Sequence, residues 1–194
     1  MRKVIDFFKR SWLLILIVLA IFLVIADKIT IPKTPSPLVS PTPISTGVAD
    51  YKSIVPGKST LDEINNLLGF PVEQNEENGK TTAEYGSSSK YRNNVVIVQN
   101  GVAALIKEVV TAIDNKKAES ITSVYGIAPY RLYDQRPNAT FDLYVYPDNG
   151  IAYIGHEDGT LLEIWYFQPT TIEVFSSSWG QGYSTRPSTK QNPY

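Results

Sequence analysis

Residues 59–71 read STLDEINNLLGFP, and 57 positions later residues 116–129 read KKAESITSVYGIAP. In the first stretch Ser59 or Thr60 is placed to cap a helix, with Asp62 and Glu63 in capping-box position. Leu61, Ile64, Leu67 and Leu68 form an apolar stripe at helical spacing. Gly69 supplies the left-handed stop, and Pro71 forbids continuation. Shifted by 57, the stripe falls on Ala118, Ile121, Val124 and Tyr125, the stop on Gly126, and a breaker comes at Pro129. Asp114 or Asn115 is in place to cap the second helix.

The segments C-terminal to the two helices are also similar. Thr81 to Tyr85 reads as a strand. Val95 to Val98 runs into Gln99-Asn100-Gly101 and out through Val102 to Val109. Thr140 to Tyr146 runs into Pro147-Asp148-Asn149-Gly150 and out through Ile151 to Ile154, and His156-Glu157-Asp158-Gly159 precedes Thr160 to Phe167. Asn-Gly and Asp-Gly between β-branched runs signal hairpins. The expected fold is α+β: two tandem units, each a short helix followed by an antiparallel meander of three or four strands. Repeat 1 spans residues 51–111 and repeat 2 spans 112–175.

Ile54-Val55-Pro56-Gly57-Lys58-Ser59, followed by Leu61, Glu63-Ile64, Leu67-Leu68-Gly69 and Pro71, resembles the opening of the SmpA/OmlA outer-membrane assembly lipoproteins. Two such units in tandem are similar in layout to the β-lactamase-inhibitor-protein fold. The resemblance implies a sheet that grips a partner. The chain has no cysteine, so it lacks both the lipid-bearing residue of the first family and the disulfides of the second. Neither family's specific partner carries over.

Outward from the domain, Arg2, Lys3, Lys9 and Arg10 precede an unbroken apolar run from Trp12 to Ala26. As a helix the run spans about 22 Å at 1.5 Å per residue, so Ser11 and the residues after Asp27 would complete a crossing of the roughly 30 Å hydrocarbon core. Twelve of its residues are Leu, Ile, Val or Phe, favouring insertion by about 4 to 7 kcal/mol. Residues 1–30 are read as a single transmembrane signal-anchor with the N-terminus cytoplasmic; the alternative is a signal peptide cleaved near Ala26. Either reading places the domain outside the cytoplasm. Residues 31–50 form a linker containing Pro32, Pro35, Pro37, Pro41 and Pro43, where proline removes amide donors and fixes φ. Residues 176–194, rich in Ser, Gly, Gln, Thr and Pro, read as a disordered tail.

The chemistry of the chain is sparse. Its 194 residues carry a net charge of −1, which offers no basic field for nucleic acid. Cysteine chemistry is excluded by composition. His156, the only histidine, stands in a turn with no nucleophile elbow near it. Glu157 and Glu163 are the one carboxylate pair worth testing as acid and base. Pro56-Gly57-Lys58-Ser59 lacks the first glycine of a phosphate loop. No catalytic, cofactor-binding or metal-binding residues are assigned, no cofactor is expected, and the chain is read as not an enzyme.

The positive signal is aromatic. Alternation places Tyr144 and Tyr146 on one face of their strand, and Trp165 and Phe167 on the side away from the helices of theirs, opposite Leu162, Ile164 and Tyr166. With Tyr153, these residues are expected to form an exposed aromatic face of the kind that supplies binding hot spots. The functional expectation is a membrane-anchored extracytoplasmic module presenting that face to a protein, a peptide or an envelope polymer. The alternatives are an assembly factor of a membrane complex and, behind it, a carboxylate-based hydrolase.

Overall fold

The structure, a computed structural model, describes residues 47–137 and 139–187. The apolar run of residues 12–26 and the Pro-rich stretch of 31–46 lie outside the described residues. Among the described residues, no helix is long and apolar enough to cross a membrane.

Helix α1 is Leu61–Leu68, and Thr60 is its cap. The Thr60 side chain accepts from the Glu63 amide at 3.4 Å, and the Glu63 carboxylate accepts from the Thr60 amide at 2.8 Å. The helix stops at Gly69, at positive φ as expected (85°) but with ψ −173°, outside the left-handed helical region, and the Gly69 amide donates to the Asn65 carbonyl. Helix α2, Glu119–Tyr125, stops in the same conformation at Gly126, φ 79° and ψ −163°, with its amide on the Thr122 carbonyl. Its start differs from expectation. Neither Asp114 nor Asn115 caps it; the capping position is Ala118, without a side-chain bond. Asp114 instead closes a short 3-10 turn, Ala112–Asp114, by accepting from the Thr111 amide at 2.7 Å. A bridge from Lys117 to Thr160 and a bond from the Ala118 amide to the Gly159 carbonyl fix the start of α2 in place of a cap. Thr60 bridges to Val102 in the corresponding way before α1.

Among the described residues, nine antiparallel strands build one sheet. In chain order they are β1 (Glu73–Glu77), β2 (Lys80–Tyr85), β3 (Asn94–Gln99), β4 (Val102–Val109), β5 (Tyr130–Asp134), β6 (Asp142–Tyr146), β7 (Ile151–Gly155), β8 (Leu161–Phe167) and β9 (Tyr183–Ser184). Their order across the sheet is β1-β2-β3-β4-β8-β7-β6-β5-β9. The two meanders therefore join through their last strands, with Leu105 opposite Phe167 and Val109 opposite Glu163. The Asn100-Gly101 turn has both residues at positive φ, and so does Asn78-Gly79, the type I′ geometry whose twist suits a hairpin.

Both sheet faces are covered, so the fold is α+β in three layers. On one face α1 and α2 bury Ile64 and Ile121 against Ile106, Tyr146, Ile151, Ile164 and Tyr166. On the other lies a third helix, α3 (Ile172–Ser178), whose Phe175 packs among Leu105, Leu143, Val145, Trp165 and Phe167. This corrects the reading of residues 176–194 as a disordered tail, since α3 runs through Ser178 and β9 pairs with Tyr133 and Asp134 of β5. Ile172, Phe175 and Trp179 are an apolar stripe at helical spacing that the Ser-rich composition masks, and all three pack into this second core. Residues 188–194 lie outside the described residues.

Two glycines separate backbone strain from steric exclusion. Gly69 faces open space, but its conformation is one that only glycine adopts readily. Gly69→Ala should lower the unfolding free energy by about 1 to 3 kcal/mol. At Gly150 a β-carbon would collide with the Phe167 carbonyl, next to the bond the Phe167 amide donates to the Gly150 carbonyl. Gly150→Ala should therefore cost more than Gly69→Ala in denaturant titration, and the reverse order would contradict this packing.

Candidate functional site

Strand register decides where the predicted aromatic residues go. Tyr144 of β6 stands opposite Tyr153 of β7, and Tyr153 opposite Ile164 of β8. The next row is Val145, Ala152, Trp165 and Lys107. Opposed residues share a face, so Tyr144, Tyr146 and Tyr153 belong to the α2 side, whereas Trp165 and Phe167 belong to the α3 side. The expected single exposed face is thus corrected on two counts. The five residues are divided between faces, and four of them are buried: Tyr146 at 2 %, Tyr153 at 5 %, Trp165 at 4 % and Phe167 at 0 % exposure. Tyr144 is half-buried.

Ile164 and Tyr166 do face the helices α1 and α2. Leu162 does not: it packs with Trp165, because the β7–β8 register shifts between Ile154 and Gly155.

The tyrosines have structural partners. Tyr144 and Tyr153 stack at 4.8 Å, and the Tyr146 hydroxyl donates to the Gly126 carbonyl at 2.8 Å, fixing the stop of α2 to the sheet. Burial pushes the pKa of the Tyr153 hydroxyl up to about 12. At the rim, Arg131 donates to Asp142 at 2.6 and 2.8 Å and to Glu157 at 2.8 Å, and lies over the Tyr133 and Tyr144 rings. On the opposite face Phe167 meets Phe175 at 4.7 Å, and Tyr183 meets Trp165 edge-on.

Where α3 leaves the sheet uncovered, a cleft of about 570 Å³ opens beside the starts of β6 and β8, lined by Arg92, Asp134, Arg136, Phe141, Leu162 and Glu163. Two carboxylates sit low in it. The Asp134 side chain is 3 % exposed and the Glu163 side chain 12 %. Each is capped by an arginine that reaches solvent: Arg136, 79 % exposed, on Asp134, and Arg92, 49 % exposed, on Glu163. Arg136 also gives Asp134 its backbone amide at 2.8 Å and its Nε at 2.9 and 3.0 Å. The side-chain bond from Arg136 holds the Asp134 carboxyl below the usual carboxylate range, against the opposing effect of burial. Glu163 accepts from the Trp165 indole at 2.6 Å. Phe141, Ile154 and Leu162 supply apolar lining, and Lys107 lies 4.1 Å over the Trp165 ring.

Arg92, Asp134 and Arg136 carry little signal in the sequence. Arg92 sits in a Ser-rich loop, and Asp134 and Arg136 belong to a local turn; neither pattern is periodic. Glu157 and Glu163, the carboxylates weighed as an acid/base pair, are not brought together. Glu157 pairs with Arg131 on the α2 side, and Glu163 pairs with Arg92 on the α3 side. His156 remains in its turn, 3.1 Å from the Asp158 carboxylate. Among the described residues no three His, Cys, Asp or Glu side chains converge as metal ligands.

No family model and no curated protein matches this sequence. Two solved structures show partial likeness. One is a DUF4309 family protein from Bacillus subtilis, at 14 % identity and a TM-score of 0.44, matched over 63 % of this chain and 88 % of that one. The other is a cysteine-rich secretory protein from Staphylococcus aureus, at 10 % identity and a TM-score of 0.39, matched over 75 % of this chain and 56 % of that one, so that this chain spans just over half its length. At these values the likeness decides neither fold nor function.

Two variants probe the cleft and its floor. Trp165→Ala should destabilise by about 3 to 5 kcal/mol, as loss of a core aromatic does; a cost under about 1 kcal/mol would mean Trp165 is surface. For Asp134, a depressed folded pKa means the stabilisation is present above the ordinary value of about 3.9 and is lost as pH falls through the folded value. Melting temperatures should fall more steeply below about pH 4 in the wild type than in Asp134→Asn.

Proposed function

We propose that this chain is a binding module of the extracytoplasmic side of a membrane, held there by residues 1–30. The carrying observation is the paired arrangement in the cleft: Arg92 and Arg136, whose side chains reach solvent, are each positioned by a buried carboxylate over an apolar floor. Arginines fixed in this way present their remaining N–H donors without further loss of side-chain freedom. The ligand such a site suits is an anionic, carboxylate-bearing group on a peptide or an envelope polymer, with an apolar portion on Phe141 and Leu162.

Binding is favoured over hydrolysis because Asp134 and Glu157 are both held ionised by arginine, a poor state for a proton donor at neutral pH. The domain is further proposed to be two copies of one unit. The stops at Gly69 and Gly126 share one conformation and lie 57 positions apart, and Thr60–Val102 and Lys117–Thr160 bridge each helix start to its own meander in the same manner. That layout supports the likeness to the SmpA/OmlA opening and to the tandem inhibitor fold.

The test uses the Trp165 indole, which shares Glu163 with Arg92, as a fluorescent reporter, with Trp165→Phe marking the signal of the other tryptophans. Short peptides ending in an apolar residue are titrated as free acids and as amides. The acid should give a saturable change that weakens about tenfold or more in Arg92→Met and Arg136→Met, the loss expected for one charge-assisted hydrogen bond. Equal response to acid and amide, or unchanged affinity in the double variant, would overturn the assignment.

A further inference from the structure

We infer that Asn78, at the tip of the β1–β2 hairpin, is a self-modification site, where the nitrogen of Gly79 converts the side-chain amide to aspartate and isoaspartate. The same dipeptide is protected elsewhere in the fold. Asn-Gly occurs three times in the chain, at 78–79, 100–101 and 149–150. A glycine that follows asparagine has no β-carbon to shield its nitrogen. At Asn78 that nitrogen gives its proton to hydroxide and bonds to Cγ, while the Cγ–Nδ2 bond breaks and ammonia leaves. Water then opens the cyclic imide. Cleavage at the side-chain carbonyl gives aspartate, and cleavage at the backbone carbonyl gives isoaspartate. In sum, an amide and water become a carboxylate and ammonium.

At residue 78 the fold leaves both reacting groups free. Asn78 and Gly79 are exposed, and space beside Gly79 is open. Among the described residues neither the Asn78 side chain nor the Gly79 amide has a hydrogen-bond partner. Asn149 is the opposite case. It is 9 % exposed, its Nδ2 donates to the Gly47 carbonyl at 3.3 Å, and the Gly150 amide donates to the Pro147 carbonyl at 3.3 Å. Gly150 is also pressed against the Phe167 carbonyl. Attack at Asn149 requires all of this packing to be undone.

Asn100 is as exposed as Asn78 and lies in the same kind of turn, at φ 54° against 53°. The cost of opening separates them. Closing the imide turns the asparagine out of its left-handed conformation, so the hairpin must loosen first. β3 is paired on both sides and buries Val96, Ile97 and Val98, so loosening Asn100 disturbs the core. β1 pairs with β2 alone, and all five of its residues are exposed. A segment with so little burial opens at small free-energy cost. The two products then act differently. Asp-Gly also closes a type I′ turn, so the aspartyl form keeps the hairpin and adds a carboxylate beside Glu76 and Glu77. The isoaspartyl form puts an extra carbon into the backbone of a tight turn, and β1, with no buried side chain to hold it, is released from β2.

The full chain is aged at mildly alkaline pH, folded or in denaturant, and the peptide around each asparagine is quantified by mass spectrometry. Isoaspartate is identified by enzymatic methylation. In denaturant the three sites should convert at similar rates. In the folded chain Asn78 should convert within several-fold of its unfolded rate, Asn100 should lag behind it, and Asn149 should stay intact over the same period. Conversion of Asn78 no faster than that of Asn149, or slower than that of Asn100, overturns the inference. A glutamyl-specific protease reads the state of β1, where Glu73, Glu76 and Glu77 are its targets. Isoaspartyl chains should be cut there several-fold faster than fresh chains, whereas Asn78→Asp should be cut like the fresh chain. Equal cutting of isoaspartyl and fresh chains, or fast cutting of Asn78→Asp, overturns the release of β1 by the lengthened turn.

Discussion

The pairing of β4 with β8 is the constraint on which the rest of this molecule depends. Each meander alone would expose a long apolar edge, VAALIKEV in one case and LLEIWYF in the other, and such edges invite aggregation. Placed against each other they become the centre of one sheet. The seam is also where polar groups have been buried: Glu108, 8 % exposed, accepts from the Tyr166 hydroxyl across it at 2.9 Å and from Lys116 at 2.6 Å. A carboxylate in that position is costly without such partners. Tyr166 feels the same neighbour from the other side, since burial and then Glu108 raise its pKa. The backbone ladder and this polar group thus specify one register, and the register assigns every side chain of β3 to β8 to a face.

This dependence explains what could be read from the residues alone. Signals confined to a few positions were legible: the capping box of Thr60 and Glu63, the stops at Gly69 and Gly126, and the Asn100-Gly101 turn. Alternation within single strands was legible as well, for Ile164 and Tyr166 do face the helices while Trp165 and Phe167 do not. The relation between strands was not. Tyr144 aligns with Ile164 and not with Trp165 only because of pairings on both sides of β7, and no local pattern encodes that. β1 was invisible for a different reason: all five of its residues are exposed and none is apolar, so it carries no period. Its order comes from the Asn78-Gly79 turn and from β2.

The cleft shows the same division between local and global information. Asp134 and Arg136 form a local turn whose backbone and side-chain bonds would hold in many contexts. Their position beside Arg92 and Glu163 depends on the outer half of the sheet being joined to the inner half. Burying Asp134 and Glu163 beneath arginines stabilises the site only while both partners are present, because removing one leaves an uncompensated charge. The integrity of the cleft therefore depends on the same four side chains.

The two outer edges of the sheet are protected by different means. On one side β1 carries Glu73, Glu76 and Glu77, all exposed, and a row of like charges discourages a second sheet from docking edge to edge. On the other side β5 reads YRLYD, and its outer edge is instead covered at Tyr133 and Asp134 by β9. That short strand is held because α3 carries the chain across the face, anchored by Phe175 at 0 % exposure, and because Gln135 donates to the Arg186 carbonyl at 3.1 Å. If the halves descend from one unit, the second lacks the row of like charges of β1 and has gained a covering segment from the C-terminal residues. The same segment buries Trp165 and Phe167 and leaves the cleft open on that face. The C-terminal helix thus covers part of one sheet face and delivers the strand that protects the edge of β5.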